Sequence, residues 1–97
     1  MTRHAKLLAR LLSGAADQTF SFDDLCTVLR RLGFDERRGS GSHLIFSRDG
    51  VPEILNLQPR RGGQAKPYQV RQVRDVLVKY RLAGSPADTP EGDVNEA

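Results

Sequence analysis

The chain is poor in the residues that build most cofactor-dependent sites. It has a single cysteine in 97 residues, so Cys26 cannot close an internal disulfide and has no cysteine partners for a metal. It has two histidines, His4 and His43, far apart in the sequence, and no tryptophan. No HxxxH or CxxC pattern occurs. The adjacent acids do not form a cradle either, because Asp23-Asp24 falls at a helix start and Asp35-Glu36 in an extended segment, where neighbours point to opposite faces. No metal or other cofactor is expected. The "GSGS" at 39–42 lacks the lysine and the spacing of a phosphate-binding Walker loop, and a serine hydrolase would need a nucleophile elbow that is missing. Uninterrupted apolar runs are only a few residues long, far short of a membrane span. The start, "MTRHAKLLARLLSG", lacks the continuous apolar stretch and cleavage site of a secretory signal. The expectation is a reduced, cytoplasmic protein that does not engage a membrane.

What is present is basic charge, unevenly spread. The formal net charge is +3. Between Phe20 and Gly84 there are twelve Lys or Arg against seven Asp or Glu, and the first fourteen residues add Arg3, Lys6 and Arg10. Asp17 and four acids in the last thirteen residues offset them. A basic body with an acidic tail suits a polyanionic partner, because phosphate neutralisation dominates nucleic-acid affinity. A solvated basic surface without any partner accounts for the charge equally well.

The length allows one domain with one modest core. Residues 3–13 alternate charge with paired leucines and predict a short amphipathic helix, either an accessory helix or a docking face for another chain. Ser21 with Asp24 three residues on forms a capping box, and Phe20 and Leu25 occupy the positions of a hydrophobic staple. Phe22, Leu25, Val28, Leu29 and Leu32 then repeat near a period of 3.6 until Gly33. Three short extended segments follow at 34–38, 42–48 and 52–58, separated by turns short enough to force antiparallel pairing. After the basic loop "RRGGQAK", Pro67 opens a last helix with Val70, Val73, Val76, Leu77 and Tyr80 on one stripe. The order is an α+β fold: helix, three-stranded antiparallel meander, helix, with both main helices on one face of the sheet and an extra N-terminal helix. The domains read as an accessory helix at 1–14, a folded domain at 19–84 and a disordered acidic tail at 85–97.

His43, in "RRGSGSHLIF", is the residue best suited to chemistry. An imidazole titrates near neutrality, at about 6.5 when unperturbed, and can move a proton there. RNA offers a reaction that needs little more, since its 2′-hydroxyl attacks the neighbouring phosphate once a base removes the proton and cations stabilise the phosphorane. Arg37 and Arg38 precede the loop, while Arg60, Arg61 and Lys66 stand in the next one. Tyr68 could stack on a base. Strand parity puts His43 with Ile45 on one face and Leu44 with Phe46 on the other, without telling which face meets the helices. On spacing alone the plainer reading, an exposed strand residue after a turn, is the better one, because solitary histidines are common.

A resemblance shifts that balance. Leu32-Gly33-Phe34, followed at the right distance by Gly41-Ser42-His43, then a Pro-basic-Gly loop and a closing "VRDVL" helix, resembles the HicA family of toxin ribonucleases over about residues 22–82. The resemblance implies a double-stranded-RNA-binding-like αβββα fold and a toxin endoribonuclease that cleaves mRNA without a metal and so inhibits translation. It also implies neutralisation by a cognate HicB antitoxin, whose contacts should be partly acidic. The family's catalytic histidine falls on His43, with Gly41 and Ser42 shaping the turn and Arg38, Arg60, Arg61 and Lys66 expected to hold phosphates. No DNA contact is expected from this chain alone. Where many members place a second histidine after the proline of the later loop, this chain has Arg61. The alternative is a non-catalytic RNA-binding module on the same fold.

Overall fold

The structure, a computed structural model, describes residues 2–82. The tail expected to be disordered at 85–97 lies outside the described residues. Three helices and three strands follow in the order α1 (Arg3–Ser13), α2 (Phe22–Arg31), β1 (Asp35–Arg38), β2 (Leu44–Arg48), β3 (Val51–Leu57) and α3 (Pro67–Lys79). The strands form one antiparallel sheet in the order β1-β2-β3. It is the α+β arrangement expected from the sequence, with each strand a residue or two shorter or displaced.

The local signals act largely as expected. Ser21 caps α2 by accepting from Asp24 N at 3.3 Å. The reciprocal half of the box is replaced by an interhelical contact, because the Asp24 carboxylate accepts from Arg3 Nη2 at 3.0 Å. Phe20 and Leu25, the two staple residues, are both fully buried. At the other end Gly33 N donates to Arg30 O and Phe34 N to Leu29 O, the paired bonds of a Schellman motif. Phe34 and Leu29 are both in the core, which completes the motif's apolar contact.

The core lies between the helices and one face of the sheet. Phe46, Leu55 and Leu57 are fully buried, and Leu44 packs against them. This settles what parity left open: the Leu44–Phe46 face meets the helices, and the face carrying Ile45, Ile54 and Asn56 is open. Ile54 is accordingly 59% exposed. Cys26 is buried in α2 as a small apolar group, and burial pushes its thiol up to about 12.

Helix α1 belongs to the folded body. Leu7 and Leu11 enter the core. Arg74 of α3 grips Asp17 through two bonds, Nη1–Oδ1 at 2.8 Å and Nη2–Oδ2 at 3.0 Å, and Nη1 also donates to Leu11 O at the end of α1. The guanidinium holds the Asp17 carboxyl below the usual carboxylate range, through that hydrogen bonding foremost. The segment after α1 in turn holds the basic loop. Ala65 N donates to Phe20 O at 2.8 Å, Phe22 N to Gly63 O at 3.0 Å, and the Arg60 guanidinium to Gln18 O.

Candidate functional site

The β1–β2 connection sets the imidazole. Gly39 N donates to His43 O at 2.9 Å and His43 N to Ser40 O at 3.2 Å, closing a tight loop. Gly41 takes φ +60° in this loop, a backbone conformation that side chains disfavour. A Cβ at Gly39 would come within 3.2 Å of His43 Cβ and of Ile45 Cδ1, so any larger residue there would push on the histidine. The loop thus requires small residues, and it delivers a half-buried His43 at the end of β2.

The same loop fixes the ring. His43 Nδ1 lies 2.9 Å from Ser40 O. A carbonyl only accepts, so in the neutral ring Nδ1 carries the hydrogen and Nε2 carries the lone pair. The arrangement leaves one nitrogen free to take a proton.

From Ser42, the residue before His43, a chain of polar groups links the β1–β2 loop to the end of β3 and the start of α3. Lys66 Nζ donates to Gln58 Oε1 at 3.0 Å, and Gln58 Nε2 donates to Ser42 Oγ at 3.2 Å. The Gln58 backbone is itself held, its N–H donating to Gln69 Oε1 at 3.1 Å while Gln69 Nε2 donates to Asn56 O at 3.3 Å. Gln69 is the buried polar side chain at the start of α3, and its amide is satisfied on both ends. The sequence singled out Lys66, Ser42 and His43; it gave no sign of Gln58 or Gln69, which are ordinary polar residues until the fold brings them to one corner.

The remaining cations separate by position. Arg38 pairs with Leu44 across the β1–β2 ladder, and Arg37 with Ile45. Residues paired across a ladder share a face, so Arg37 stands on the open face with Ile45 and His43, while Arg38 stands on the face that meets the helices. Both are exposed on this edge strand. Arg61 is exposed in the turn that Gly62 and Gly63 complete. Arg60 is half-buried, and its guanidinium donates to the Gln18 carbonyl, which fastens the loop. Tyr68 is 56% exposed in the first turn of α3, two residues after Lys66. A separate half-open cavity of about 170 Å³ lies between α1 and α2, and none of its lining residues belongs to the His43 group.

The chain folds as a small basic α+β domain with its helices on one sheet face and an imidazole on a glycine-serine loop at the sheet's end. A family model described as the HicA toxin of bacterial toxin-antitoxin systems matches residues 22–84. The chain therefore belongs to the HicA toxin family, and it is a toxin of a toxin-antitoxin system with a cognate antitoxin. Searches of curated proteins and of solved structures each return no match. Helix α1 precedes the matched residues, yet it is built into the same core. No helix among the described residues is long and apolar enough to cross a membrane.

Proposed function

We propose that the protein is an endoribonuclease that cleaves mRNA without a metal, and that it is held inactive by a HicB-type antitoxin covering the His43 corner. The observation that carries this reading is the His43 ring, pinned through Nδ1 to Ser40 O with Nε2 left free. In the reaction, Nε2 takes the proton of a 2′-hydroxyl and the O2′–P bond forms. The P–O5′ bond then breaks, and the departing 5′ oxygen takes a proton from solvent. The products are a 2′,3′-cyclic phosphate and a 5′-hydroxyl, with charge on the phosphorane balanced by nearby cations.

Arg37, Arg38, Arg61 and Lys66 are the cations at this end of the sheet, and Arg60 helps hold the loop that carries Arg61 and Lys66. Tyr68 offers a face for a base beside Lys66. Gly41 and Ser42 shape the approach to the imidazole. Basic loops of this kind suit an antitoxin with acidic contacts, and the setting is cytoplasmic, where mRNA is the substrate.

The test uses one RNA sequence in two forms, natural and with every 2′-hydroxyl replaced by hydrogen. Cleavage of the natural strand alone, leaving 2′,3′-cyclic phosphate ends, is the expected result. Tight binding of both strands with neither cut would favour the non-catalytic RNA-binding module.

A further inference from the structure

We infer that Gln58 is a positioning residue that turns the Ser42 hydroxyl hydrogen toward RNA bound at His43, so that Ser42 donates a hydrogen bond to a phosphoryl oxygen. The inference rests on the ribonuclease reading proposed above.

The polarity of the chain from Lys66 to Ser42 decides it. An ammonium group has hydrogens to give and no lone pair, so the Gln58 atom facing Lys66 Nζ at 3.0 Å is the amide oxygen. That fixes which way round the amide stands. Its nitrogen then faces Ser42 Oγ at 3.2 Å, and an amide nitrogen only donates. Ser42 Oγ is therefore the acceptor in this pair, and its own hydrogen is left for another partner. Ser42 is exposed and directly precedes His43 in the same loop, so its hydrogen is open to a group bound at that loop.

The chain is also braced where it must not swing. The Gln58 N–H is held by Gln69, a buried side chain in the first turn of α3. Lys66 is the capping residue of that same helix, directly before Pro67. The Gln58 backbone and the Lys66 end of its amide are thus both tied to the start of α3, and a Ser42 hydroxyl that would otherwise rotate among several acceptors has one direction excluded. A donor set in advance toward developing charge is worth more than one that must reorient during the reaction.

The experiment is a double-mutant cycle on cleavage of a defined RNA, with kcat and KM measured for wild type, Ser42→Ala, Gln58→Glu and the double variant. In Gln58→Glu the side chain keeps its length and still accepts from Lys66, but its second oxygen also accepts, so it captures the Ser42 hydrogen. The expected result is a kcat lowered roughly tenfold or more by either single change, as for other lost donors to developing charge. In the Ser42→Ala background, Gln58→Glu should then have no further effect on kcat. A merely electrostatic effect of the added carboxylate would lower activity by the same factor in both backgrounds, and that outcome would overturn the inference. Wild-type kcat in Ser42→Ala would overturn it as well. If Gln58→Glu does not fold by its thermal midpoint, Gln58→Met removes both polar ends at similar length, and the same cycle applies. A folded wild-type protein that leaves RNA intact removes the ribonuclease reading and the inference with it, whereas a cutting wild type with an additive cycle removes the inference alone.

Discussion

At the scale of single residues, the His43 loop shows how composition becomes geometry. Two glycines and two serines within five residues look like flexibility in a sequence, yet here they close a loop in which one carbonyl, that of Ser40, receives both the backbone N–H and the ring of His43. The histidine was legible from the motif, and so were Ser42 and Lys66. The tautomer was not, because it depends on a backbone oxygen three residues away. The difference between Arg37 and Arg38 was also hidden until the register was known. Neighbours on a strand point opposite ways, and pairing of Arg37 with Ile45 puts it on His43's face. Arg37→Ala should therefore raise KM for RNA more than Arg38→Ala does. Parallel titrations of the two variants with the same RNA check this, and equal effects would mean that RNA runs over the strand's edge rather than its open face.

At the scale of elements, α2 was the most legible part. Its cap, staple and glycine stop act over a few neighbouring residues and need no knowledge of the fold. The role of α1 was less so, because its leucine stripe suited either a core or a docking face. Burial of Leu7 and Leu11 decides for the core. Leu11→Ala should cost about 2–5 kcal/mol, the usual range for emptying a fully buried leucine site, as measured by urea unfolding. A much smaller cost would mean that α1 is peripheral to the cooperative unit.

The tie between α1 and α3 is electrostatic as well as apolar. Asp17 and Arg74 are both largely sheltered, at 13% and 18% side-chain exposure. Arg74 holds the Asp17 carboxyl below its unfolded value of about 3.9. A depressed carboxyl contributes stability above the unfolded value and loses it as pH falls through the folded one. Asp17→Asn should therefore be less stable than wild type near neutrality, by roughly 1.5–3 kcal/mol for loss of a charged hydrogen-bonded pair, with the gap closing below about pH 4. Denaturant midpoints for both proteins across pH check the sign, and a gap that stays constant into acid would show that the charge is not what matters. The sequence marked Arg74 only as a border residue of the last helix, since its partner lies 57 positions away.

At the scale of the whole molecule, one core ties all three helices to the sheet. The helices cover one sheet face and make the core, which leaves the other face and the loops at its end uncovered among the described residues. The linker after α1 fastens the basic loop through Phe20, Phe22 and Gln18, so the cations and the imidazole sit on parts tied to the same core. The element order and the basic balance were readable from periodicity and charge. The corner where Ser42, Gln58 and Lys66 meet was not, because it joins residues from two loops and the end of a strand.

The role of His43 in cleavage is decided by incubating a long unstructured RNA in excess chelator with antitoxin-free wild type and with a folded His43→Ala variant. Fragments from the wild type and intact RNA with the variant are expected if His43 moves the proton. Cutting in both lanes at equal rates would contradict that role, because His43 would then have no part in the reaction.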